Sequence, residues 1–152
     1  MATVAVKNVD RLLKKMDNIA GVDVIKPMRK AVKFVHAQVK TLCPVDTGQL
    51  RASIHMEVNQ KLKTIEGRVY TNVQYAPYVE FGTGSKGNGS YPYKIKGLSL
   101  SYKDKSWVYT PDGENFYRTN GQRAQPYMYP ALSRNKKYIK ELFNTSLRQE
   151  IV

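Results

Sequence analysis

Cysteine is nearly absent: Cys43 is the only one in 152 residues. No intrachain disulfide can form, which suits a reducing compartment. Two histidines, His36 and His55, stand beside that cysteine, with no Cys-x-x-Cys or His pair. The ligand spacing of a zinc site is therefore missing. Long apolar runs are missing too. The opening stretch MATVAVKNVDRLLKKMDNIAG holds no continuous apolar core of the kind a secretion signal needs. Nothing in the chain approaches the roughly 18 apolar residues of a membrane span. The expectation is a cytosolic product with no membrane contact.

The constellations of catalysis are also lacking. Serine and threonine are plentiful, but no Gly-x-Ser-x-Gly elbow occurs. Cys43 precedes Pro44 at a predicted helix end, where the negative end of the helix dipole raises a thiol pKa. Gly84-Ser85-Lys86-Gly87 lacks the four-residue spacing of a phosphate-binding loop. No acidic pair suggests glycosidase or divalent-metal chemistry. The sequence predicts no catalytic residues, no metal site and no cofactor.

Acidic residues are few, 12 against 25 Lys and Arg, for a formal net charge of +13. The excess sits at the ends. Residues 1–45 carry 9 basic against 3 acidic residues, residues 123–152 carry 6 against 2, and the middle carries 10 against 7. Such a field implies a polyanion or an acidic protein as neighbour, or serves solubility. The aromatics are mostly tyrosine, 11 against 4 Phe and 1 Trp. Tyrosine joins an apolar face to a hydroxyl and is enriched both at interfaces and on half-buried strands.

Along the chain, Val9, Leu12, Leu13, Met16 and Ile19 recur at helical spacing, with Gly21 as the stop. A second stripe, Ile25, Met28, Val32, Val35, Val39 and Leu42, predicts an amphipathic helix over 24–42 with Pro27 in its first turn. Its other face carries Lys26, Arg29, Lys30, Lys33 and Lys40, and His36 lies near the stripe as a solvated or satisfied side chain. After Pro44, Asp46-Thr47-Gly48 reads as a turn or short capped helical turn, with Asp46 as the cap. Ile54, Met56 and Val58, then Ile65 and Val69, alternate as two strands about a tight turn at Asn59-Gln60-Lys61. Tyr75–Phe81 is one helical turn or an edge segment. Residues 82–92 hold four glycines in eleven positions and read as a flexible loop or arm. Tyr93–Tyr102 alternates loosely, Trp107–Tyr109 is a short apolar run, and Pro111-Asp112-Gly113 is a turn. Phe116-Tyr117 followed by Thr119-Asn120-Gly121 suggests a second hairpin. Leu132, Ile139, Leu142, Phe143 and Leu147 mark a last helix with Pro130 at its first position. The expected fold is a single α+β domain, with N-terminal helices and a C-terminal helix on one face of an antiparallel sheet.

Three segments narrow the reading: PVDTGQLRASI at 44–54, YAPYVEFGTG at 75–84 and GQRAQPYMYPAL at 121–132. In this order and spacing they closely resemble the HK-ninety-seven phage gene-product-ten-like family of neck and tail-component proteins. The aromatic Trp107-Val108-Tyr109 before the third segment fits that pattern, and the likeness spans about residues 24–145. Tyr129 stands where members often carry Arg. The resemblance implies a structural virion protein of a long-tailed phage, assembled in the bacterial cytoplasm. It would be a ring subunit, hexamer or dodecamer, of the neck or of the tail-completion or tail-terminator apparatus. Its neighbours would be head-closure or connector proteins and tail-tube or terminator proteins, with at most transient contact with DNA in the lumen. The alternative is a nucleic-acid-binding protein working through its basic helix faces. Against it, the aromatics concentrate in 70–129, away from the strongest basic bias.

Three sets of residues are the candidates. Asp46, Thr47, Gly48, Leu50 and Arg51 form a hinge between long helix and sheet, or a plain structural turn. Tyr75, Pro77, Tyr78, Glu80, Phe81, Gly82 and Gly84, with Tyr127 and Tyr129, are candidate subunit contacts; Pro126, Tyr127, Met128 and Pro130 pin the last helix to the sheet. Lys26, Arg29, Lys30 and Lys33 are a candidate electrostatic face, or simply a solvated one.

Overall fold

The computed structural model describes residues 23–61 and 64–151. The expected helix over Val9–Ile19 lies outside the described residues. The first described helix, α1, spans Ile25–Leu42. It starts where the Asp23 carboxylate accepts the Ile25 amide at 3.0 Å. It ends because Cys43 precedes a proline and turns extended, with φ −63° and ψ 123°. Pro27, Ala31, Val32, Val35 and Val39 are buried along one side. Leu42, at the end of the predicted stripe, is exposed.

A single helical turn, α2 (Gln49–Ala52), leads into β1 (Ile54–Lys61), which pairs antiparallel with β2 (Thr64–Thr71). Asp46 does not cap α2. Gly48 holds the N-cap position at φ 85°, and the nearest side-chain help is the Thr47 hydroxyl, which accepts the Gln49 amide at 3.4 Å. Nor do Asn59–Lys61 form the hairpin turn; they continue β1 opposite Thr64–Glu66, and residues 62–63 are outside the described residues. In β2, Ile65, Gly67, Val69 and Thr71 are the half-buried positions, with exposed residues between them, so period-two alternation fixes which face meets α1. On the outer face Glu57 meets Arg68 at 3.8 Å and His55 meets Tyr70, their ring centres 5.8 Å apart.

The chain continues through α3 (Ala76–Phe81) and a one-turn helix, α4 (Gly84–Gly87). No strand forms over Tyr93–Tyr102. A second two-stranded sheet joins β3 (Trp107–Tyr109) to β4 (Tyr117–Thr119). Its connection is an Asx turn. Asp112 Oδ1 accepts the Glu114 and Asn115 amides, and Oδ2 accepts the Asn115 side-chain amide at 2.6 Å.

The single last helix of the sequence reading is two helices, α5 (Met128–Ser133) and α6 (Lys136–Ile151). Pro130 is the third residue of α5, not the first. The break falls at Asn135, whose side chain donates to the Ala131 carbonyl at 2.8 Å and so competes with the backbone ladder.

The class is α+β, as expected, but the strands form two separate small sheets rather than one. α1 packs on the β1–β2 hairpin and on α5 and α6. The core gathers Val35, Val39, Cys43, Leu50, Ile54, Ala76, Tyr127 and Ala131.

Candidate functional site: where three segments meet

All three sequence segments converge on one side of this core. Leu50 from the first, Ala76 from the second, and Tyr127 and Ala131 from the third pack in the same cluster. The chief polar tie is Glu80, only 5% exposed. Its Oε2 accepts the Tyr127 amide at 2.7 Å and the Met128 amide at 2.9 Å. Its Oε1 accepts the Tyr129 amide at 3.1 Å and the Tyr91 hydroxyl at 3.4 Å. A carboxylate from α3 thus caps the start of α5, where unpaired amides and the positive dipole end favour an anion. Pro126 lies just ahead of that start and Tyr127 is buried at 1%; the tie at this segment runs to Glu80 of α3, whereas the expectation was of pinning to the sheet.

Two further ties bind the second and third segments. Thr83 and Gln122 exchange backbone hydrogen bonds at 2.9 and 3.1 Å, and the Gln122 side chain donates to the Tyr78 carbonyl at 3.0 Å. The Gln125 amide donates to the Val79 carbonyl at 2.8 Å. Between segments one and two, the Tyr75 hydroxyl reaches Gln49 Oε1 at 3.4 Å. An aromatic chain then links Phe81, Tyr91, Tyr93 and Tyr129 with ring centres 5.0–5.6 Å apart.

These contacts sort the candidate interface residues. Glu80, Gly82, Gly84 and Tyr127 are buried and hold the fold together, so they present no side-chain surface to a partner. Phe81 and Tyr129 are half-buried in the aromatic chain. Tyr75, Pro77 and Tyr78 remain at the surface, Tyr78 at 58% exposure. Residues 82–92, read as a flexible loop or arm, contain the short helix α4 and are tied to the rest of the chain. Gly84 and Gly87 are buried, the Lys86 amide donates to the Asn120 carbonyl, and Tyr102 donates to the Phe81 carbonyl at 2.9 Å. The glycines are there because backbone meets backbone. Gly121, at φ 91°, lies so close to the Thr83 carbonyl that a methyl group would overlap it.

Outside these ties the surface forms two adjoining grooves. One, of about 470 Å³, is lined by Asp46, Thr47, Gly48 and Leu50, facing Tyr75 and Gln122. The other, of about 920 Å³, is lined by Tyr75, Tyr78, Tyr102, Trp107, Tyr109 and Gln122. Tyr75 and Gln122 border both, so the hinge candidates and the aromatic candidates share one continuous surface. Beside it the β3–β4 hairpin exposes Val108 at 57% and Phe116 at 80%. Gln122 and Phe116 were missing from the sequence candidates. Gln122 lies in the segment GQRAQPYMYPAL, and Phe116 stands among the aromatics that follow Trp107.

Lys26, Arg29, Lys30 and Lys33 are all exposed along α1, at spacings that put them on the side opposite its buried residues. Lys26 pairs with Asp23 at 3.4 Å. Two side chains that the sequence reading considered have identifiable surroundings. His36 Nε2 is 3.0 Å from the Ile54 carbonyl, and burial pushes the Cys43 thiol pKa up. Burial, reinforced by the Glu80 carboxylate, likewise raises the Tyr91 hydroxyl. Among the described residues no group of His, Cys, Asp and Glu could hold a metal ion, and no helix is long and apolar enough to cross a membrane.

Comparison with known proteins gives a family. The family described as "Bacteriophage HK97-gp10, putative tail-component" matches residues 7–82, half of the chain. No curated protein and no solved structure matches.

Proposed function

Because the chain belongs to the HK97-gp10-like family of bacteriophage tail components, we propose that it is a ring-forming subunit of the neck or tail-completion apparatus. The observation that carries this reading is the continuous aromatic surface of Tyr75, Tyr78, Trp107 and Tyr109 beside the exposed Val108 and Phe116. Surface of this kind suits protein contact. In a ring each subunit meets the next through two different patches, and closure follows when the rotation fits. The groove supplies one patch. The far side of the hairpin supplies the other, since Val108 pairs with Arg118 on the face opposite Trp107, Tyr109 and their partners. The basic face of α1 would line a lumen or meet an acidic virion protein.

Cryo-electron microscopy of purified particles tests the reading. A ring of this chain at the neck or tail end is the expected result, with Tyr78 and Phe116 in subunit contacts. Absence from the particle would overturn it. In the soluble protein, Tyr78→Asp and Phe116→Asp should leave the circular dichroism spectrum unchanged and abolish incorporation into particles.

A further inference from the structure

The groove that holds Tyr75, Tyr78, Trp107 and Tyr109 has one charged residue in its wall, Lys103, and no carboxylate. The Lys103 ammonium lies 5.4 Å from the centre of the Trp107 ring, which keeps it at the edge of the aromatic surface. An occupant therefore meets aromatic rings and a cation. That combination favours an apolar segment bearing negative charge.

Such a segment projects from the same molecule. Every residue from Val108 to Arg118 is exposed, and Val108, Tyr109, Phe116 and Tyr117 are large apolar side chains among them. Residues 106–117 carry two acids, Asp112 and Glu114, and no Lys or Arg, on a chain of net charge +13. The Asp112 oxygens are used inside the turn. Glu114 gives the turn its backbone amide, and its carboxylate is in no ion pair among the described residues. It is the outward charge of the tip. Arg118, at the base of the hairpin, is bonded back to Ser106 at 2.8 Å.

The tip does not reach its own groove. Trp107, Tyr109 and Thr119 of the same hairpin already form part of the wall, and the turn runs on beyond them at about 3.3 Å per residue. Folding back would break the β3–β4 pairing. We propose that the β3–β4 tip of one copy docks in the aromatic groove of the next, with Glu114 against Lys103 and Phe116 among the groove's tyrosines. The inference rests on the ring reading and adds the charge pair that sets its register. Each copy gives one tip and receives one, as a head-to-tail contact requires.

Phage particles carrying Lys103→Cys with Glu114→Cys, oxidised before denaturation, test the contact. The native thiol, Cys43, is buried, and wild-type particles treated alike control for it. The expected result is a ladder of linked chains on a non-reducing gel, with a peptide pair joining positions 103 and 114. A link inside one chain adds no rung. Charge reversal gives a second readout without cysteine. Lys103→Glu or Glu114→Lys alone should lower incorporation into particles roughly fivefold or more, and the two together in one chain should restore it. Particles that contain the chain without a 103–114 link, or a double reversal no better than either single one, would overturn this contact and leave the ring reading standing. Wild-type chain absent from particles would overturn both.

Discussion

Glu80 is a buried carboxyl group with no cationic partner among the described residues; its oxygens accept from three backbone amides and a tyrosine hydroxyl. Removing it leaves these amides without their acceptor, at a cost of about 1–3 kcal/mol for a buried group. Glu80→Ala should therefore lower unfolding free energy by about 3 kcal/mol or more in a denaturant titration. Glu80→Gln, which keeps one acceptor oxygen, should lose less. Equal stability of all three proteins would show that the capping geometry is incidental. Nothing in the spacing of YAPYVEFGTG announces this role. A glutamate in a short aromatic stretch reads as a surface residue, because the amides it serves lie 47 to 49 positions away.

At the scale of elements, the readings that succeeded rest on local periodicity. The α1 stripe and the β1–β2 alternation were legible because a regular repeat places the buried side chains of each element on one face. Those that failed rest on contacts across the chain. Gly82, Gly84 and Gly87 read as a flexible arm, yet they are spacers that let Thr83 lie against Gln122. Gly121→Ala should cost about 3 kcal/mol, combining a left-handed backbone with overlap on the Thr83 carbonyl. A melting temperature unchanged by that substitution would refute the close approach. The β3–β4 turn makes a different prediction. The Asn115 side chain and the Asn115 and Glu114 amides hold the Asp112 carboxyl at about 2, below its ordinary 3.8. A lowered pKa gives a contribution that is complete above the ordinary value and lost as pH falls through the folded one. The Asn115 amide resonance should therefore hold steady from neutral pH to about 4 and shift as pH approaches about 2. A shift centred above 4 would contradict the turn's hydrogen bonding.

For the whole molecule the informative quantity is charge. Exchanging Lys26, Arg29, Lys30 and Lys33 for Glu changes four residues by two charges each, taking the formal net charge from +13 to +5. All four are exposed, so the fold should persist, whereas particle assembly or genome retention should fall. Unchanged virion yield and packaging would leave the stripe as a solvated face. Duplex DNA binding that weakens steeply with salt, in wild type alone, would point to phosphate contacts. The placement of the basic stripe was readable in the sequence, since helical spacing alone puts it opposite the apolar one. Its neighbour was not, because charge names a class of partner and no single member of it.

The bridge between Thr83 and Gln122 makes the intervening chain a closed loop whose two ends are held at one point. Closing such a loop becomes harder only with the logarithm of its length, so doubling it costs about 0.6 kcal/mol. The excursion that carries Trp107 and Phe116 can thus grow, shrink or change its outer residues while its base stays pinned to the core. The outer part of the excursion, around Trp107 and Phe116, is thus where residues can change at least cost to the core, whereas Tyr91, nearer its base, is tied to Glu80.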